Sequence, residues 1–173
     1  MKFLKDIAKA LISPPTQNGA ENELFNVQPF VAPELVDTGE WFNSSPLSLS
    51  MLKGQVVLLE FWTFGCINCV RTLPYVQSWY EEFKDQGFVV LGVHTPEFEA
   101  EKVTANVERA VGERGLSYPV VQDNNMSTWR TYSNRYWPAQ YLIDKQGNVR
   151  RVHFGEGQYD ETRQAIQQLI NEE

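Results

Sequence analysis

Apolar positions along the chain recur with two different periods, which predict an alternation of strands and helices. Gln55 to Trp62 is an almost continuous apolar run, the pattern of a strand buried on both faces. From Cys69 onward, Leu73, Val76, Tyr80 and Phe83 return every three or four positions. That spacing predicts a helix with one buried face, running to about Gln86 and stopped by Gly87. Phe88 to Val93 reads as a second buried strand. Val103, Val107, Ala110 and Val111 mark a second helix, with Arg114 at its end and Gly115 as its stop. Tyr118 to Val121 reads as a short strand and Met126 to Tyr132 as a short helix. Gln140 to Ile143 and Val149 to Phe154 flank Lys145-Gln146-Gly147-Asn148, a hairpin turn that asks for positive φ at Gly147. A last helix has Ala165, Ile166, Leu169 and Ile170 on its inner face and Asp160 as its expected cap. Ahead of the first long strand, Trp41-Phe42 and Pro46 to Leu49 suggest a small leading hairpin.

Strand–helix–strand alternation followed by a hairpin and a helix implies an α/β domain with a mixed central sheet covered on both faces. This body spans residues 41–173. Before it, Phe3, Leu4, Ile7, Ala8, Leu11 and Ile12 recur at helical spacing among Lys2, Lys5, Asp6 and Lys9. Residues 1–12 are therefore expected to form a short amphipathic helix, a tether or a helix packed on the body, with membrane-surface contact as the sharper alternative. Charges interrupt the apolar stretch that a secretory signal would need. Residues 13–40 carry Pro14, Pro15, Pro29 and Pro33 with Asn18-Gly19 between, and are expected to be an extended linker.

Composition narrows the class. The chain has 173 residues, 42% of them hydrophobic and 13% aromatic, which suits one folded globular domain with an appendage. A net charge of −7 argues against nucleic acid as the main partner, since phosphate binding needs a surplus of cations. No stretch approaches the 18 or more apolar residues of a membrane-spanning helix; Glu60 stops the best run.

Two cysteines are the most informative count. They are too few for a disulfide-stapled scaffold, and too few for a four-thiolate zinc or iron–sulfur site. Both lie in Cys66-Ile67-Asn68-Cys69, at the junction between the first long strand and its helix, the edge where open α/β sheets place their sites. Unpaired N–H groups and the helix dipole stabilise a thiolate there. Cys66 is then the exposed nucleophile, and Cys69, one turn deeper, the resolving thiol that displaces product from a mixed disulfide. Other readings stay open: two structural cysteines, a thiol peroxidase using Cys66, or a non-enzymatic metal-delivery or interaction module. Against a metal site, the two histidines, His94 and His153, lie far apart in sequence.

Glu60 stands out inside a buried strand, on the same face as Leu58 and Trp62. Burial raises a carboxyl pKa towards neutrality, which suits proton exchange; the plainer reading is an acid satisfied by a lysine or by backbone groups. Trp62 and Phe64 read equally as core or as an apolar collar for partners. His94, Glu97 and Asp123 lie at the same sheet edge without an assigned task, and Asp123-Asn124-Asn125 reads as a turn.

The stretch Glu60-Phe61-Trp62-Thr63-Phe64-Gly65-Cys66-Ile67-Asn68-Cys69, followed by Arg71-Thr72-Leu73-Pro74, resembles the thioredoxin-like superfamily and, within it, the TlpA-like thiol–disulfide oxidoreductases. Gly92-Val93-His94-Thr95-Pro96-Glu97, Asn134-Arg135-Tyr136-Trp137-Pro138-Ala139 and Phe154-Gly155-Glu156-Gly157 bring it nearest to the soluble redox domain of DipZ-type cytochrome c biogenesis proteins. The similarity spans roughly Trp41 to Ile170. It implies a thioredoxin fold with an N-terminal β-hairpin and an extra βα insertion. Cys66 and Cys69 match the family's redox pair, Pro138 its cis-proline, and Pro74 the proline of the active-site helix. Glu60 matches a buried acid that exchanges a proton with the resolving cysteine. With Pro138 in that place, the Trp137 backbone lies where a bound peptide strand would pair. The implied activity needs no bound cofactor beyond the Cys66–Cys69 couple. It implies protein disulfides as substrates and a separate protein as electron donor. A monomer in the cytoplasm is the expectation, with a periplasmic or other extracytoplasmic setting as the alternative.

Overall fold

The computed structural model describes residues 24–173, so the helix expected over 1–12 and the first part of the linker lie outside it. Seven strands form one sheet: β1 (Phe30–Val31), β2 (Trp41–Phe42), β3 (Val56–Trp62), β4 (Phe88–His94), β5 (Val120–Gln122), β6 (Ala139–Ile143) and β7 (Asn148–Phe154). The helices are α1 (Ile67–Phe83), α2 (Thr104–Glu113), α3 (Ser127–Thr131) and α4 (Tyr159–Asn171). Strand order is β1-β7-β6-β3-β4-β5-β2. β3, β4 and β5 run parallel, while β6 and β7 are antiparallel additions. The sheet is thus mixed and α/β.

All seven residues of β3 are buried because alternate side chains serve different layers. Val56, Leu58 and Trp62 join Leu73, Val76, Trp79 and Phe83 of α1 and Ala165, Ile166 and Leu169 of α4. Val57, Leu59 and Phe61 face Trp129 and Tyr132 on the other side. α2 and β5 extend the sheet beyond β4, and are the extra helix–strand unit the resemblance implies.

α1 continues through Pro74 and passes into a 3-10 turn at Lys84–Gln86, ended by Gly87 at φ 79°. Gly147 sits at φ 90° in the β6–β7 turn, where Asp144 Oδ1 accepts from the N–H groups of Gln146 and Asn148.

Three expectations need correction. Trp41-Phe42 does not form a hairpin with Pro46 to Leu49. β2 pairs antiparallel with β5 instead, and no strand forms over 46–49. The Asn43 side chain donates to the carbonyls of Leu116 and Tyr118 at 2.9 Å each, tying the turn to the chain entering β5. Within the described part of the expected linker, Phe30–Val31 adds an edge strand to β7. Val27, Phe30, Ala32 and Leu35 pack on the second core layer, whereas Leu24 and Phe25 pack on the first. Asp160 is not the cap of α4. Gln158 holds the N-cap in a left-handed conformation, and Asp160 lies in the first turn, where its charge still complements the helix dipole.

Candidate active site

β3 delivers the chain to the sheet edge, and α1 carries it away; the turn between them is Thr63-Phe64-Gly65. Cys66 is the N-cap of α1, with extended φ −85° and ψ 115°. Its Sγ accepts from the Cys69 backbone N–H at 3.3 Å, so the sulfur takes the place usually held by a serine or aspartate oxygen. Both cysteines are free thiols, Cys66 half-buried and Cys69 fully buried. Burial, followed by hydrogen bonding to Cys66, pushes the Cys69 thiol far up. The two sulfurs therefore differ: one is reachable, the other is sheltered and held protonated by burial.

The Trp137–Pro138 peptide is cis and lies against this pair, with the Trp137 carbonyl 3.8 Å from Cys66 Sγ. The Trp137 ring is held from behind: its Nε1–H donates to the Thr95 carbonyl at 3.0 Å, and it packs at a tilt of 34° on Trp129 with centroids 4.1 Å apart. Its backbone is thereby fixed beside the thiol, at the mouth of the site.

Glu60 lies below Cys69, with 0% of its surface exposed. Burial pushes its carboxyl up to about 8, against a small opposing effect from the Gln140 amide, which donates at 3.3 Å. Glu60 Oε2, the Tyr118 hydroxyl and Trp62 Nε1 are buried without a hydrogen-bond partner among the described residues. Among the described residues no lysine answers Glu60; its partner is Gln140, directly opposite on β6. A polar residue inside the apolar run Ala139–Ile143 was the signal that could have found it.

The aromatic residues divide. Trp62 is fully buried and meets the His94 ring edge-on at 4.9 Å, so it is core and cannot form part of a collar touching substrate. Phe64 is half-buried and stacks on His94 at 5.5 Å, beside the cysteines. His94 itself is fully buried, and burial lowers it to about 4, so the ring is neutral. Its Nε2 accepts from the Phe64 N–H at 3.3 Å and faces Thr63 Oγ1 at 3.4 Å. His94 thus organises the turn before Cys66.

Asp123 is more than a turn residue: it is 1% exposed and accepts from the N–H groups of Thr128 and Trp129 and from the Thr95 hydroxyl. It ties α3 to the loop that holds Trp137. Glu97 is exposed. Glu101, which no motif marked, is 2% exposed and lies against Gly65. Among the described residues, no group of three or more His, Cys, Asp or Glu could hold a metal ion, and no helix is long and apolar enough to cross a membrane.

Residues 30–152 match the sequence profile of the AhpC/TSA family. The chain is 49% identical over 144 residues to protein DipZ of Mycobacterium tuberculosis, a match covering 82% of this chain and 21% of DipZ. It therefore spans about a fifth of the DipZ proteins it matches. It is 32% identical over 127 residues to the thiol-disulfide oxidoreductase ResA of Halalkalibacterium halodurans, covering 73% of this chain and 69% of ResA. The crystal structure of a thioredoxin-like superfamily protein superposes with a TM-score of 0.76 at 31% identity, covering 83% of this chain and 97% of the other. A thiol-disulfide isomerase from Corynebacterium glutamicum gives 0.71 at 26% identity, covering 82% and 98%. With its thioredoxin-like fold and the profile match over residues 30–152, the chain belongs to the AhpC/TSA family.

Proposed function

We propose that this protein is a thiol–disulfide oxidoreductase that reduces protein disulfides through Cys66 and Cys69. The observation that carries the reading is the asymmetry of the two sulfurs: Cys66 caps α1 and receives the Cys69 N–H, while Cys69 is fully buried. The Cys66 thiolate attacks a substrate disulfide, forming one S–S bond and expelling one substrate thiolate. Cys69 then loses its proton and attacks Cys66 Sγ, which releases the second substrate thiolate. Two electrons pass from the cysteine pair to the substrate, whose two sulfurs leave as thiols. Glu60, near Cys69, takes the proton that Cys69 must lose in the minority of molecules whose carboxyl is ionised near neutral pH. A carboxyl raised to about 8 holds a proton near neutral pH and can exchange it in either direction.

The cis Trp137–Pro138 segment and Phe64 line the approach to Cys66, and an extended substrate chain lies along the Trp137 backbone. The couple needs no further cofactor. Its electrons come from a separate protein, and the chain works as a monomer in which residues 41–173 carry the activity. A reducing, cytoplasmic setting makes the pair a reductant; the extracytoplasmic alternative suits a higher potential.

The peroxidase reading rests on the same Cys66, but the Thr63 hydroxyl is fully buried and faces His94 Nε2 at 3.4 Å. The deciding experiment is insulin reduction with dithiothreitol as donor, alongside peroxide consumption and the reduction potential of the pair. Catalysed insulin reduction that needs both cysteines, with a potential near about −270 mV or below, supports the reductant reading. A potential near about −120 to −180 mV moves the protein to an oxidising compartment. Peroxide turnover without disulfide exchange, or failure to form an intramolecular disulfide, overturns it.

A further inference from the structure

The turn Thr63-Phe64-Gly65 presents Cys66, and two buried side chains from outside the α1 segment hold it. One is His94. The other is Glu101, in the 3-10 turn Glu99–Lys102 that follows β4. Glu101 Oε2 accepts from the backbone N–H groups of Glu97 at 2.6 Å and Phe98 at 3.1 Å, so its carboxylate is tied at a fixed point. Its other oxygen lies on Gly65: a Cβ built on that glycine would stand 2.2 Å from Glu101 Oε1. Gly65 is not at positive φ, so backbone freedom does not explain a glycine here; the close approach of the carboxylate does. The residue so covered is the immediate neighbour of Cys66.

We propose that Glu101 is a positioning residue of the thiol exchange: packed on Gly65, it fixes the turn that presents Cys66 and holds a negative charge beside it, making the couple a stronger reductant. This rests on the disulfide-exchange reading. The argument is electrostatic. A negative charge beside Cys66 opposes the thiolate, and the thiolate belongs to the reduced form. Weakening the reduced form lowers the potential of the pair. The other titratable groups around Cys66 do not cancel this charge. From β4, His94 is neutral; from β3, Glu60 lies behind Cys69 with its carboxyl protonated up to about 8; on α1 itself, Cys69 is a buried thiol and the exposed Arg71 is paired with Glu156 at 3.7 Å. The cis-peptide segment contributes only the Trp137 carbonyl.

The test compares parent, Glu101→Gln, Gly65→Ala and Glu97→Gln by redox equilibration with glutathione and by the rate of Cys66 alkylation at mildly acidic pH. Glutamine keeps the shape of Glu101 and an acceptor for the two N–H groups but removes the charge. Glu101→Gln should shift the equilibrium towards the reduced protein roughly three- to tenfold, about 15–30 mV for a two-electron couple. It should also speed alkylation. Gly65→Ala drives the carboxylate off the turn and should shift the equilibrium in the same direction, which keeps the test open if Glu101→Gln folds poorly. Glu97→Gln, which removes an exposed charge two residues before that turn, should change neither readout. Unchanged equilibria in both Glu101→Gln and Gly65→Ala, or an equal shift in Glu97→Gln, overturn the proposal. A parent pair that does not cycle between dithiol and disulfide overturns the disulfide-exchange reading itself, and is distinguished by measuring the parent first.

Discussion

Glu60 and Gln140 face each other across β3 and β6, and the Gln140 amide donates to Glu60 Oε1 at 3.3 Å while Glu60 Oε2 has no partner among the described residues. The pair sets the pH dependence of stability. Glu60 ionises at 4.5 in an unfolded chain and at about 8 in the fold, because burial disfavours its charge. A carboxyl with a raised folded-state pKa contributes its full stability below the unfolded value and loses it as pH rises through the folded one. Glu60→Gln is uncharged throughout. The reduced parent should therefore lose stability relative to Glu60→Gln between pH 4.5 and about 8, by as much as about 5 kcal/mol. Urea midpoints of the two reduced proteins across that range check it; a constant difference would refute a buried, titrating Glu60.

Removing the other member acts in the opposite sense on the acid. Gln140 favours the ionised form of Glu60, so Gln140→Leu should raise the Glu60 pKa above that of the parent. Isotope-edited infrared spectroscopy of the protonated carboxyl band follows this directly. A downward shift would mean that Gln140 does not stabilise the carboxylate.

How far this site could be read from the sequence depends on which residues are neighbours along the chain. Cys66 and Cys69 are one helical turn apart on a strand-to-helix junction, so local periodicity alone brings them together. Glu60 was visible because a charged residue interrupts an apolar strand. Trp62 followed the same alternation, yet burial could not be distinguished from exposure at the strand's end, and the structure places it in the core. Gln140 and Glu101 belong to the site through strand register and loop packing across long sequence separations, which no local period encodes. The leading hairpin failed for a related reason: Trp41-Phe42 has strand character, but its partner is the distant β5 and not the next apolar segment. The β4–α2–β5 order was legible because β4 is an apolar run that begins just after Gly87 and α2 has a helical period stopped by Gly115.

Gly92 marks how tightly the layer above Glu60 is packed. A Cβ there would meet Tyr118 Cε2 at 3.0 Å, Trp62 Nε1 at 3.1 Å and Val120 Cγ2 at 3.2 Å, and all three side chains are fully buried. Gly92→Ala should destabilise the protein by about 1–3 kcal/mol through overpacking. Gly112, inside α2 with nothing within 4 Å of its Cβ position, is the contrasting case. Gly112→Ala should be neutral or stabilising, by up to about 1 kcal/mol, because alanine favours the helix. Thermal unfolding of the two variants should move in opposite directions or leave only Gly92→Ala lowered.

The final prediction follows from the depth of the two sulfurs. Cys66 is half-buried and faces the Trp137 carbonyl, whereas Cys69 has 0% of its surface exposed. A partner's disulfide can therefore reach Cys66 and not Cys69. When Cys66 has attacked, only Cys69 lies close enough to release the partner, since its own N–H is already 3.3 Å from Cys66 Sγ. Cys69→Ser keeps that N–H and removes the resolving sulfur. It should accumulate covalent adducts with disulfide-containing proteins that run as single bands on non-reducing gels and vanish with dithiothreitol. Cys66→Ser should form no adducts and reduce no insulin, because the remaining thiol is sheltered and held protonated by burial. Adducts on Cys66→Ser but not on Cys69→Ser would reverse the order of attack, and would require the α1 N-terminus to open far enough to expose Cys69.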